Sequence, residues 1–335
     1  MSVNSGHADE LLAQAVASLG GSCAEVGCYT FAGVGGGTQA TVWKGTPTRP
    51  KQPAVALRLT PKPLELITRI ASLINGVRSV ECPKTLATGQ LSVDGRTWTV
   101  HLCTWIGHPA RRAPDMHLLG RHIALLHREL DQSQADFSDR RLSFERIPDP
   151  PTDQQLPAWY VARHLWRDRI FAWLSSCTQQ MSNQPIHGDL HWDNVVTTHD
   201  GFGFIDFDKL MWAPPVFDLA KLIATAFFRI GNDVRFQTRR AADLLDGYNS
   251  VRSLSDAEVA AIEGLAVMLN EETARLGVQY NIEKYRLHAD GVASWWISRR
   301  RRTRTDPLGI RGRSAVPAFA ADQRSQLSLW TDEDD

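Results

Sequence analysis

Two spacings of apolar residues divide this chain. From Tyr29 to Ile106 they come in short runs with β-branched and aromatic neighbours, interrupted by Gly, Pro and Asp, which is the pattern of strands. From Pro114 onward they recur every three or four residues, the pattern of amphipathic helices. In the first part, residues 7–20 predict a short helix and YTFAGVGGGTQATVWKG (29–45) a hairpin built around a glycine cluster. PAVALRLT (53–60) predicts a third strand, and PKPLELITRIASLINGV (61–77) a helix with Leu64, Ile67, Ile70, Leu73 and Ile74 along one side. TLATGQLSV (85–93) and RTWTVHLCTWI (96–106) predict two more strands joined at Asp94-Gly95, a dipeptide suited to a tight turn. In the second part, DMHLLGRHIALLHREL (115–130) opens on a capping Asp115 and aligns Leu118, Leu119, Ile123, Leu126 and Leu130. A Pro- and Asp-rich connector (146–157) leads to an aromatic helix with Trp159, Trp166, Phe171 and Trp173, and a further helix starts at Ser255, with Glu258 completing a capping box. The expected class is α+β, sheet-rich at the N-terminus and mostly helical after it.

Composition narrows the class. The 335 residues are 43% hydrophobic and 22% charged, ordinary for a globular protein large enough for two lobes. No apolar run approaches the roughly 18 residues of a membrane span, and Asp9 and Glu10 stand where a secretory leader would carry positive charge. A soluble, cytoplasmic protein is expected. Five scattered cysteines, without a C-x-x-C pair, argue against a disulfide framework or a zinc site. Charge is balanced overall but uneven: segment 1–103 holds nine basic and six acidic residues, segment 104–298 twenty and twenty-five. That asymmetry suits a nucleotide side and a side friendly to cations. The basic run SRRRRTR (298–304) is too short to imply nucleic-acid binding, and 303–335, which lacks periodicity, is expected to be a mobile tail.

The chemistry concentrates in PIHGDLHWDNVVTTHDGFGFIDFDKLMWAPPVFDLAKLIA (185–224). Phosphoryl transfer needs a carboxylate to orient the attacking hydroxyl and accept its proton, and oxygen ligands to hold a metal ion on the phosphates. Asp189 suits the first task. Asn194, five residues on, and Asp206, on the next hairpin arm, suit the second.

HGDLHWDN, then IDFD, then FDLA resembles the aminoglycoside phosphotransferase-like family of small-molecule kinases, with its choline, homoserine and methylthioribose kinases. The resemblance extends over residues 30 to 298 and implies a bilobal, protein-kinase-like fold: an N-lobe (1–103), a hinge (104–107) and a helical C-lobe (108–302). It implies that Asp189 is the base, that Asn194 and Asp206 bind Mg²⁺, and that ATP or GTP is the donor. Gly35, Gly36, Gly37 and Thr38 then cover the phosphates, where glycine lets backbone N–H groups approach. Arg58 takes the place of the strand lysine, with Lys44 and Lys62 as alternatives, and Glu65 is the candidate partner of Arg58. Cys103, Thr104, Trp105 and Ile106 are expected to meet the adenine edge through their backbone. His187 and Asp218 are assigned structural parts, as is His127, and Trp192, Asp208, Glu271 and Glu272 are candidates to line the acceptor site. Trp192 departs from the small residue or Pro usual in that loop. The expected activity is phosphorylation of a hydroxylated small molecule, foremost a cationic antibiotic. A metabolite alcohol and a binding module without transfer are the alternatives, and a monomer or homodimer is expected, with no nucleic-acid or membrane partner.

Overall fold

The structure, a computed structural model, describes residues 5–20, 28–34, 40–110, 115–133, 135–142, 174–175, 179–226, 228–229 and 235–279. The chain divides into two compact units, one formed by the described residues of 1–143, 182–226 and 243–252, the other by those of 144–181, 227–242 and 253–335.

The first unit is built on a five-stranded antiparallel sheet: β1 (Tyr29–Gly33), β2 (Thr41–Pro47), β3 (Val55–Thr60), β4 (Thr85–Val93) and β5 (Arg96–Thr104), in the order β1-β2-β3-β5-β4. Central β3 is buried along nearly its whole length, as its VALRLT composition leads one to expect. The β4–β5 hairpin turns at Asp94 and Gly95, both with positive φ (50° and 71°), the backbone that a two-residue type I′ turn requires. Helix α1 (Ser5–Ser18) packs on the sheet through Ala15, with Leu19 just beyond it; both join a core with Trp43, Val55, Leu57, Leu59, Val100 and Leu102. Helix α2 (Leu64–Gly76) packs against β4 and β5, burying Ile67, Ile70, Leu73 and Ile74.

Beyond the sheet, helix α3 (Met116–Gln132) starts where Asp115 accepts a hydrogen bond from the Leu118 amide at 2.9 Å. Short strands β6 (His108–Pro109), β8 (Val195–Thr198) and β9 (Gly201–Phe204) form one small sheet, and β7 (Gln184–Ile186) pairs with β10 (Met211–Ala213). Helix α4 (Val216–Ala226) is almost wholly buried. Helix α5 (Thr238–Asn249) ends in this unit, where its backbone lies so close to α3 that a Cβ on Gly120 or Gly247 would collide with Leu244 or His117 carbonyl oxygens.

In the second unit, helix α6 (Asp256–Gln279) begins with the expected reciprocal cap: Ser255 N–H donates to Glu258 at 2.9 Å and Glu258 N–H to Ser255 Oγ at 3.2 Å. Trp159, Trp166, Phe171 and Trp173 of the predicted aromatic helix lie outside the described residues, as does the whole 303–335 tail. Among the described residues no helix is long and apolar enough to cross a membrane.

Candidate active site

Three elements of the first unit bring the predicted residues together. The loop from β7 to β8 carries His187 to Asn194; the turn after β9 carries Asp206 and Asp208; β3 contributes Arg58.

The loop is held from beneath by a buried polar network. Asp218, fully buried in the first turn of α4, accepts the His187 amide at 2.8 Å, the Gly188 amide at 2.9 Å and His127 Nε2 at 3.0 Å. The other imidazole nitrogen of His127 meets the Tyr248 hydroxyl at 2.9 Å. Every lone pair so engaged offsets desolvation of a charge that would otherwise be costly to bury. Gly188 adopts φ 79°, and a side chain there would run into the Lys209 carbonyl. His187 meets the Ile205 carbonyl through Nε2 at 2.8 Å and, through Nδ1, accepts the Asp189 amide at 3.3 Å, with its ring 4.5 Å from that of Phe207. The loop and the Asp206 turn are thereby tied to each other.

Asp189 projects from this loop with its side chain 14% exposed. Lys209 Nζ lies 2.8 Å from its Oδ2 and Lys221 Nζ 3.4 Å from its Oδ1. Burial works against the charge, but Lys221, Lys209 and His191 outweigh it and hold the carboxyl below the usual carboxylate range. Asn194 Nδ2 donates to the Asp189 carbonyl at 2.9 Å and lies 3.1 Å from His191 Nε2. His191 is kept below its ordinary pKa by burial, against the pull of Asp189 and Asp193.

Asp206 stands in the left-handed region (φ 65°, ψ 63°), a conformation that costs energy for a non-glycine residue and that surrounding structure must enforce. Arg58 enforces part of it: Nη2 lies 2.9 Å from Asp206 Oδ1 and 3.0 Å from Asp208 Oδ2, while Nη1 reaches Asp208 Oδ1 at 3.2 Å. Burial opposes the guanidinium charge, yet Asp208 and Asp206 raise its pKa above the ordinary value. Arg140 fixes the turn from the other side by donating to the Asp208 carbonyl at 2.9 Å.

Several predicted residues stand elsewhere. Glu65 is exposed on α2 and makes no ion pair with Arg58, because Asp206 and Asp208 present two carboxylates to the guanidinium. Asp208, expected at the acceptor wall, is turned to Arg58 as a bidentate partner. Lys44 lies over the Trp105 ring at 4.7 Å. In the hinge segment, the Thr104 amide donates to Lys84 and the Trp105 amide to Ala54, so those two donors are already used. Trp192 is half-buried in the short helical turn before Asn194. Glu271 is buried on α6, in the second unit. Gly35, Gly36, Gly37, Thr38 and the Glu272 side chain lie outside the described residues. Sequence reasoning missed Lys209 and Lys221. The available signal was spacing: Lys221 follows Asp218 by three residues on one helix, which sets both on the same face.

The oxygen donors fit a divalent cation. Asp206 Oδ2 and Asn194 Oδ1 have no hydrogen-bond partner among the described residues, and hard cations prefer such carboxylate and amide oxygens. Among the described residues no group of three or more His, Cys, Asp or Glu side chains comes together as a metal cage.

A profile of the phosphotransferase enzyme family matches residues 30–254, two thirds of the sequence. The chain belongs to this family. It is a phosphotransferase, a kinase of small-molecule hydroxyl groups. No curated protein matches its sequence. Among solved structures, this phosphotransferase is similar to the amicoumacin kinase hAmiN, solved in complex with AMP-PNP, Ca²⁺ and Ami: TM-score 0.65, 15% identity, 85% of this chain and 93% of that one. A microcompartment-associated aminopropanol kinase gives TM-score 0.65 at 15% identity over 87% of this chain and 98% of its own. A choline/ethanolamine kinase family protein from Mesorhizobium loti gives 0.55 at 16% identity over 87% and 94%. At these identities the likeness establishes the fold.

Proposed function

We propose that this phosphotransferase moves the γ-phosphoryl group of ATP or GTP to a hydroxyl of a small molecule, with Asp189 as the base. The observation that carries this reading is the convergence, in one unit, of a braced carboxylate at Asp189, two open metal-type oxygens at Asn194 and Asp206, and a fixed guanidinium at Arg58. In the reaction, the acceptor oxygen bonds to the γ-phosphorus, its proton passes to Asp189, and the bond to the nucleoside diphosphate breaks with its electron pair. Asp189 orients the hydroxyl and is ready as a carboxylate, since its pKa is held low. Arg58 meets phosphate oxygens while remaining anchored by Asp208. A divalent cation, Mg²⁺ by expectation, would neutralise charge on the phosphates when held by Asn194 and Asp206.

The sheet through residue 103 serves the nucleotide on this reading, with 104–107 as hinge and 108–302 carrying the transfer machinery. With the Thr104 and Trp105 amides engaged, the Ile106 amide is the donor proposed for the adenine edge. Free thiols at Cys28, Cys82 and Cys103 suit a cytoplasmic setting, where the nucleotide is available. Solved relatives named for aminoglycoside and for choline or ethanolamine share the fold, so an antibiotic and a metabolite alcohol are both within its range.

The test is transfer itself. Purified protein with Mg²⁺ and ATP or GTP is offered aminoglycosides, choline, homoserine and other alcohols, and new phosphorylated masses are followed. Product formation that disappears in Asp189→Asn supports the proposal; product that persists in that variant removes Asp189 from the chemistry. Nucleotide binding without any product identifies a binding module instead.

A further inference from the structure

Lys209 joins the two parts of the site that would act on the transferred group. Its backbone belongs to the short helical turn Phe207–Lys209 that Asp206 opens, and its carbonyl oxygen occupies the space that a side chain on Gly188, in the β7–β8 loop, would need. Its ammonium group ends 2.8 Å from Asp189 Oδ2. A single side chain thus runs from the turn of the metal-type oxygens to the base. Lys221 arrives differently. It shares a face of α4 with Asp218, which holds the loop from beneath, and meets the other oxygen, Oδ1, at 3.4 Å with its side chain 20% exposed. The Lys209 side chain is 53% exposed, which leaves its flexible stem room to turn.

On the reading of Asp189 as the base, the acceptor hydroxyl donates to this carboxylate from about 2.7 Å, and the γ-phosphorus lies in line beyond the hydroxyl oxygen. An ammonium group at hydrogen-bond distance from the same carboxylate is a side-chain rotation away from the phosphoryl oxygens. The step moves charge in that direction. The proton that reaches Asp189 cancels the negative charge that holds Lys209, while negative charge is spread over the oxygens of the moving phosphoryl group. An ammonium group that stayed on Asp189 would oppose the proton transfer. One that turns to the phosphoryl oxygens is held more strongly in the transition state than before it, which is the condition for acceleration. Arg58, anchored by Asp208 through both amino groups, lacks that freedom.

We propose that Lys209 is a catalytic residue: it pairs with Asp189 in the resting site, and during transfer its ammonium group contacts the γ-phosphoryl oxygens and neutralises the charge that develops on them. The acceptor oxygen bonds to phosphorus, its proton goes to Asp189, the bond to the nucleoside diphosphate breaks with its electron pair, and Lys209 keeps its own proton throughout. The proposal rests on the reading of Asp189 as the base.

The experiment uses the full chain with ADP, Mg²⁺ and aluminium fluoride, which mimics the phosphoryl group in flight and needs no particular acceptor. Calorimetry measures how far aluminium fluoride tightens ADP binding. Lys209→Met is expected to lose about tenfold or more of the parent's tightening, with affinity for ADP alone unchanged, and Lys209→Arg, which keeps the charge, to recover most of it. Asp189→Asn and the double variant Asp189→Asn with Lys209→Met separate direct contact from an effect through the base. A lysine that touches the phosphoryl group weakens the tightening in the Asn background as well. A double variant that matches Asp189→Asn makes Lys209 a brace of the base alone and overturns the proposal. Tightening in Lys209→Met equal to the parent's overturns it too, and leaves phosphoryl transfer standing. A loss of affinity for ADP alone in Lys209→Met, with the tightening unmoved, assigns the lysine to the diphosphate and equally overturns it. No tightening in the parent, from protein that binds ADP, counts against transfer itself and takes the inference with it.

Discussion

At Asp189 one carboxylate serves two ammonium groups, Lys209 at one oxygen and Lys221 at the other. The lysines favour its ionised form, and on the proposed reading a bound hydroxyl needs that same anion as its proton acceptor. Asp189→Asn keeps the shape and removes the charge. Transfer should fall by about two to four orders of magnitude, with AMP-PNP binding unchanged; turnover within a few-fold of the parent would remove the residue from catalysis. On the same reading Arg58 is the second residue to test. Its fork spans Asp208 through both amino groups and touches Asp206 as well, a geometry that a lysine ammonium cannot reproduce. Arg58→Lys should therefore weaken nucleotide binding by roughly tenfold, and Asp208→Asn should do so too, because it releases the guanidinium from its anchor. Titration of AMP-PNP reads both. If Asp208→Asn bound nucleotide like the parent, the fork would be incidental to function.

Among elements, the β7–β8 loop depends on α4 for its position. Asp218 satisfies two loop amides and His127 at once, and its removal strands all three inside the protein. Asp218→Ala should cost about 3 kcal/mol or more of stability, read as a lower denaturant midpoint, and Tyr248→Phe, which removes only the outer hydroxyl, should cost about 1 kcal/mol. Equal effects would mean that the network is not centred on Asp218. Gly120 and Gly247 pose a packing constraint of a different kind: neither has a positive φ, yet each lies where the α3 and α5 backbones meet. Elements of this sort were legible in the sequence where a local rule fixes them. The Asp94-Gly95 turn, the Asp115 cap and the Ser255–Glu258 box all obey short-range chemistry. The pairing of Arg58 with Asp208, 150 residues away, obeys none, and the sequence pointed instead to nearby Glu65. The lysines over Asp189 escaped for the same reason, since spacing set them near the motif without saying which way they reach.

For the molecule as a whole, the strand order puts a histidine beside Arg58, the cation that the proposed nucleotide site would use. His101 on β5 is the register partner of Arg58 on β3, and its Nε2 lies 2.8 Å from Thr85 Oγ1. Its Nδ1 is buried without a hydrogen-bond partner among the described residues. A proton added there would find no acceptor and would face the guanidinium. Burial first, and Arg58 second, push its pKa down from 6.5 to about 3. Between those two values the unfolded chain binds a proton that the folded chain refuses, so stability declines as pH falls through this window and is recovered above it. From pH 7 to pH 5 the loss from this one group should be roughly 2 kcal/mol. Denaturant unfolding at the two pH values measures it, and His101→Phe, which cannot titrate, should flatten the difference by about that amount. A variant that loses stability as steeply as the parent would show that acid sensitivity comes from elsewhere, with carboxylates held below their ordinary range, such as Asp189, contributing only at lower pH. The pH window thus separates a fold-level liability in the sheet from the titration of Asp189, because the two are felt at different acidities.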